Sequence, residues 1–228
     1  MADIPNRGRK EKDLVDAIEK ELARFGRLLA RAIPGLASAL EMINPDYWSE
    51  HTANLTSAVS PRLQTTYTEQ SAAMLEDFPY LDIDWALFNA DASRWARQYT
   101  FDLIQGLNRT SERAVREAVT SFFEQGWTQQ ELTNALAPTF GDKRAEMIGI
   151  TETTRAAVEG ESEIVRRLEE DDGIFMRPYW LTSNDERVCP ICQPRNGKEI
   201  RPDNETRGEY PPAHPRCRCG VRHEIING

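Results

Sequence analysis

The chain has 228 residues and a mass of 26.0 kDa, with 39% hydrophobic residues, 29% charged residues and a formal net charge of −9. That length allows one or two domains with a real core, and the lack of any run of 18 apolar residues argues against a membrane-spanning helix. The charge is uneven: residues 177–228 carry nine Lys/Arg against seven Asp/Glu, which leaves nineteen against thirty in residues 1–176 and argues against wrapping of DNA by the whole chain.

The opening segment MADIPNRGRKEKDLVD has no apolar stretch of the kind a secretory signal needs, so the expected compartment is the cytoplasm. Residues 11–33 predict an amphipathic helix, because Leu14, Ile18, Leu22, Phe25 and Leu29 recur at spacings of three and four between charged residues. Pro34-Gly35 ends it. Asn44-Pro45-Asp46 opens a second helix, and Ser60-Pro61 opens a third that runs to about Asp77. His51 is expected to be exposed on a polar helix. From Asp84 to about Leu107 the pattern Trp85, Phe88, Ala92, Trp95, Tyr99, Leu103 predicts another helix with its aromatics in the core.

Thr110 precedes a helix over residues 111–125 that stops at Gly126. Thr128-Gln-Gln-Glu131 is a capping box, in which hydroxyl and carboxylate each satisfy a backbone donor of the other, and the short helix it starts is expected to end before Pro138. A long helix follows from Asp142 to about Asp171, with Gly149 and Gly160 as candidate interruptions. Beyond Gly173 the character changes. Residues 175–182 and the alternating residues 221–226 read as two short strands around a segment rich in Pro, Gly and charge. The fold class is therefore mainly α, with a helical N-terminal part and a small α+β C-terminal module.

All four cysteines fall in that module, as Cys189-Pro-Ile-Cys192 and His214-Pro-Arg-Cys217-Arg-Cys219. A Cys-x-x-Cys pair puts two thiolates on one tight turn, a bite that tetrahedral Zn²⁺ accepts, and the downstream cluster offers further soft donors. Cytoplasmic clustered cysteines favour metal over disulfides. The expected ligands are Cys189, Cys192, Cys217 and Cys219, with His214 as the alternative for a downstream position; His223 is a sixth donor in an alternating strand. A Cys₄ site has no open position and reads as structural. Four reduced cysteines packed as small hydrophobes, or a redox pair, are the competing readings. Asp185 and Arg187 flank the first cysteine and are expected to hydrogen-bond its thiolates or brace the turn.

Trp180-Leu-Thr-Ser-Asn-Asp185-Glu-Arg187-Val-Cys189-Pro-Ile-Cys192, then Gly197, then Pro211-Pro-Ala-His214-Pro-Arg-Cys217-Arg-Cys219, resembles the terminal segment of the phage Mu F-like head morphogenesis family. Gly126-Trp-Thr-Gln-Gln-Glu-Leu, the Phe140-Gly141 turn and Ile150-Thr151-Glu152-Thr153-Thr154-Arg155-Ala156 are similar to its helical lead-in, so the resemblance covers roughly residues 110–226, with the His-Pro-x-Cys-Arg-Cys ending its most specific part. The resemblance implies a minor capsid protein of a tailed phage or prophage, acting in procapsid assembly or genome handling near the portal. It implies location in the head interior, after assembly in the host cytoplasm. It divides the chain into residues 1–109, a helical region for portal docking or self-association, and residues 110–228, a head-morphogenesis domain with a zinc module at 175–226. Portal, capsid and scaffolding proteins are the implied partners, with phage DNA as a further candidate and no membrane.

Two rivals come from other classes. An HNH-like nuclease would need a general-base His and a second metal-binding His or Asn on a following helix. The chain has three His in all, and the nine residues after Cys219 leave no room for that helix, so no catalytic residue is expected. A nucleic-acid-binding module could use Arg195, Lys198, Arg216 and Arg218 as contacts, but seven acids are interleaved in the same segment. Residues 111–137 imitate a helix-turn-helix, yet the second helix, Gln129-Gln-Glu-Leu-Thr-Asn-Ala-Leu, carries no Lys or Arg. Glu152 and Arg155 read as an ordinary i,i+3 pair.

Overall fold

A computed structural model describes residues 4–37, 43–79, 84–182 and 188–226. The 3–4 spacing of Leu14, Ile18, Leu22, Phe25 and Leu29 forms helix α1 (Arg7–Ala32), and all five side chains are at most 2% exposed. Pro34 turns the chain into a short 3₁₀ segment, Ile33–Gly35, where α1 was expected to stop.

Helix α2 (Pro45–Leu75) starts as the sequence predicts, with the Asn44 side chain accepting from the Asp46 N–H at 2.9 Å and Pro45 in the first turn. It then departs from expectation: residues 45–75 form one helix, with Pro61 inside it. An interior proline costs about 3 kcal/mol, and burial of Leu55, Val59, Leu63 and Tyr67 along one face offsets that. His51, expected at the surface, is 1% exposed and stacks on Phe25 with ring centroids 4.0 Å apart.

Helix α3 (Trp85–Glu124) is capped by Asp84, whose carboxylate accepts from Ala86 and Leu87 N–H. The break expected before Ser111 is absent, and residues 109 and 110 lie within one continuous helix. Thr110 and Ser111 hydroxyls donate back to the Leu107 carbonyl at 2.8 Å each, so they do not cap a new helix. Arg144 reaches across from the last helix and donates to Ser111 Oγ, Thr110 Oγ1 and the Leu107 carbonyl, which ties down this stretch. Phe88 and Ala92 are buried as expected, whereas Trp85 is 43% exposed at the helix start.

Helix α4 (Gln129–Phe140) opens on the predicted capping box: Thr128 N–H donates to Glu131 Oε2 at 2.7 Å and Glu131 N–H to Thr128 Oγ1 at 3.2 Å. It continues past Pro138, because Phe140 at its end is buried against Gly26 and Phe25 of α1.

Helix α5 (Asp142–Asp172) runs without interruption, so the two internal glycines do not break it. They are contact points. A Cβ on Gly149 would lie 2.4 Å from Val15 Cγ2 of α1, and one on Gly160 would lie 2.4 Å from the Tyr67 carbonyl oxygen and 2.8 Å from Ser71 Oγ of α2. Gly160→Ala is accordingly expected to lose about 2 kcal/mol in urea unfolding despite the better helix propensity of Ala, since the obstacle is backbone; equal or greater stability would contradict this packing.

Helix α5 ends at Gly173, which adopts φ 66. The predicted strands follow as β1 (Met176–Leu181) and β2 (Gly220–Ile225), an antiparallel pair with Trp180 opposite Val221. Residues of all five helices share one core cluster, while a second cluster gathers Trp180, Cys192, Ile200, Cys217, Cys219 and Val221 on Val158 of α5. The architecture is thus mainly α with a small C-terminal sheet. Among the described residues, no helix is long and apolar enough to cross a membrane.

Candidate metal centre

Two turns bring the donors together. In the first, Cys192 N–H donates to the Cys189 carbonyl at 3.1 Å and approaches Cys189 Sγ at 3.4 Å, while Gln193 N–H donates to the same carbonyl, so both sulfurs point one way. In the second, Cys217 N–H donates to the His214 carbonyl and Arg216 takes a left-handed φ of 64. Among the described residues, Cys189, Cys192 and His214 form one group and Cys192, Cys217 and Cys219 another, with the donor atoms of each group within 4.8 Å of one another. Cys192 belongs to both. This cluster can hold a metal ion.

The donor set fits one. The cysteines are free, and Cys192 Sγ lies 3.8 Å from Cys217 Sγ. A disulfide needs about 2.05 Å, whereas the edge of a tetrahedron with metal–sulfur bonds of about 2.3 Å is roughly 3.8 Å. His214 Nδ1 is 2.8 Å from the Pro215 carbonyl, which can only accept, so this nitrogen carries the proton and Nε2 is left facing the sulfurs. Nε2 lies 3.0 Å from Cys189 Sγ and 3.2 Å from Cys192 Sγ.

The donors shift one another's titration. Burial would lower the His214 pKa, but the Pro215 carbonyl and the nearby Cys217 and Cys189 thiols raise it above the ordinary value. Cys217 is held below the ordinary thiol range chiefly by the Cys219 thiol donating to it, and Cys219 is raised in turn. Burial pushes Cys192 up to about 12. Burial also acts to raise Cys189, yet the Cys192 and Ile191 N–H groups and His214 bring it below the usual value.

Helix α5 forms the floor. Thr154 Oγ1 donates to the Cys217 carbonyl at 2.8 Å, Thr151 Oγ1 accepts from Arg216 N–H at 2.8 Å, and Val158 packs in the same apolar cluster as the three buried cysteines. Strand β1 forms the wall: Trp180 is fully buried and exchanges backbone hydrogen bonds with Gly197 and Lys198, and Ile200 N–H donates to the Pro178 carbonyl.

The basic residues proposed for nucleic-acid contact all meet carboxylates instead. Arg195 is 6% exposed, lies 5.0 Å over the Trp180 ring and places Nη1 2.9 Å from Glu209, so it is packed inside the module. Arg216 pairs with Glu146 of α5 at 2.8 Å, Arg218 with Glu11 of α1 at 2.9 Å, and Lys198 lies 3.7 Å from Glu205. The acids of α1 and α5 are remote in sequence, so a local count of charge does not find them. Asp185 and Arg187 lie outside the described residues. His223 stands on β2 opposite Pro178, outside both donor groups, with burial lowering its pKa to about 4.

Residues 113–222 match the family model described as Phage Mu protein F like protein. The region belongs to that family. No curated protein and no solved structure matches the chain. The Mu F-like region begins in the middle of α3 and ends in β2, so it contains α4, α5 and every donor of the metal cluster. Helices α1 and α2 lie outside it yet pack on its α5, through Val15 at Gly149 and Tyr67 at Gly160. Within the Mu F-like region, Thr151 and Thr154 support the second cysteine turn, a role not assigned to them from the sequence. Their i,i+3 spacing puts both hydroxyls on one helix face, and that was the available signal.

Proposed function

We propose that this chain is a minor head protein of a tailed phage or prophage, acting in procapsid assembly or genome handling near the portal, with a structural Zn²⁺ in its terminal module. The family match over residues 113–222 supports the first part, and the convergence of four thiols and His214 supports the second. Cys189, Cys192 and Cys217 would hold the ion as thiolates, with His214 Nε2 as fourth ligand in place of the Cys219 favoured by spacing alone. Nε2 faces both sulfurs of the first turn, at 3.0 Å from Cys189 Sγ and 3.2 Å from Cys192 Sγ. When bound, zinc supplies folding energy to a module with little core of its own. Four protein ligands leave no open coordination position, so no catalytic turnover is assigned.

Portal, capsid and scaffolding proteins are the proposed partners, with residues 1–109 as the docking or self-association region. The head interior is the proposed site of action. The nucleic-acid reading gains no support from Arg195, Lys198, Arg216 and Arg218, since each meets a carboxylate.

Two measurements test the proposal. Mass spectrometry of gradient-purified heads is expected to find the chain, and its deletion to lower the yield of filled heads; absence from heads together with unchanged yield would reject the morphogenetic role. Protein purified without added metal is expected to carry about one equivalent of zinc. Less than about a tenth of an equivalent would reject the metal site.

A further inference from the structure

We infer that the metal centre controls the docking of the first turns of α1, and that Arg218 transmits its state. This rests on the metal reading proposed above.

The beginning of α1 is intrinsically weak. Asn6 at its N-cap adopts φ 54 and makes no side-chain cap, and the first turn holds no acid. Arg7, Arg9 and Lys10 instead place positive charge at the positive end of the helix dipole. Beyond Glu11 the helix is anchored by Leu14, Ile18, Leu22, Phe25 and Leu29 in the main core. The preceding turns are held by Lys10, which pairs with Glu69 of α2 at 2.5 Å, and by bonds to the terminal module.

Those bonds converge on the second cysteine turn. Arg218 sits between Cys217 and Cys219, and its guanidinium grips the Glu11 carboxylate with Nε at 3.0 Å from Oε1 and Nη2 at 2.9 Å from Oε2. Glu11 is 8% exposed, so its charge is sheltered from water and depends chiefly on that fork, with Arg7 Nη1 a longer 3.7 Å from Oε1. A second route runs from the Cys217 carbonyl to Thr154 Oγ1 at 2.8 Å, with Arg7 Nη1 at 3.5 Å from the same hydroxyl. Ligation of Cys217 holds residues 214–218 in the geometry that aims Arg218. Loss of the ion releases that turn, and with it the clasp on Glu11 and Arg7.

Backbone amide exchange on the full chain tests this, with metal content measured on each sample. Zinc-loaded wild type is expected to protect residues 7–13, and chelator under reducing conditions to speed exchange there by about tenfold or more while residues 14–30 hold within about twofold. Arg218→Ala and Glu11→Gln, both zinc-loaded, are expected to show the same local loss with metal content unchanged. If the wild type binds zinc but stripping leaves residues 7–13 protected, or if both loaded variants protect them as wild type does, the clasp is wrong and the metal site stands. If no zinc binds under reducing purification, the metal reading fails and the coupling fails with it.

Discussion

Cys192→Ser is expected to unfold residues 188–226 and to leave the helical body folded. Cys192 is 1% exposed and is the one donor shared by both groups of the cluster, so its loss removes a ligand at the centre of the site. Structural zinc contributes on the order of 10 kcal/mol to the folding of small modules. Two six-residue strands and one apolar cluster cannot replace that, because an isolated hairpin is marginal at best. The main core draws on α1 to α5 and includes no cysteine, so the helices should persist. Limited proteolysis is expected to cut the variant within residues 188–226, while its helical circular dichroism stays close to that of wild type. Wild-type protease resistance across those residues would sink the prediction. Cys219→Ser is expected to be milder and to retain zinc, since His214 takes the fourth position in the proposed site.

The second large effect is on pH dependence. Burial lowers the His51 pKa from 6.5 to about 4, with Arg24 and Arg144 adding to the shift. Between those values the unfolded chain binds a proton that the folded chain refuses. Stability from this residue is therefore complete above about pH 6.5 and is lost as pH falls toward 4, by up to about 3 kcal/mol. His223, lowered to about 4 by burial, acts in the same direction.

Glu161 acts in the opposite sense. Burial raises it from 4.5 to about 7, against the Gln70 amide that donates to it at 2.7 Å. Here the folded chain keeps a proton that the unfolded chain has released, so the cost grows as pH rises from 4.5 and is fully present above 7. Glu161→Gln is expected to stabilise the protein by about 2 kcal/mol at pH 8 and to change it little at pH 4.5, which also leaves the histidine-driven acid loss more visible. Urea unfolding of variant and wild type at both pH values checks this, and the comparison at each pH cancels any acid loss of metal. Equal gains at the two pH values would show that titration of Glu161 is not the cause.

Much of the fold was legible because it depends on near neighbours. The buried face of α1, the Thr128–Glu131 capping box and the two strands all follow from spacings within one element. Local signals misled where distant packing outweighed them. Pro61 and Pro138 were read as helix boundaries, but burial of Leu63 and Phe140 carries α2 and α4 through them. Thr110 and Ser111 imitate a helix start, but their hydroxyls turn back onto Leu107 and Arg144 joins them. His51 is polar in a polar stretch, and only the approach of Phe25 makes it a core residue.

The metal centre divides in the same way. Which side chains could bind an ion, and that two turns present them, is written into Cys-x-x-Cys and His-Pro-x-Cys-Arg-Cys, because ligand bite is a property of a few consecutive residues. The facing of His214 Nε2 toward Cys189 and Cys192, the Thr151 and Thr154 hydroxyls under the second turn, and the grip of Arg218 on Glu11 come from chain segments that meet only when folded. Glu11 and Arg218 are 207 residues apart. No periodicity or spacing relates residues at that distance; their pairing follows from how α1 and the terminal module both pack on α5.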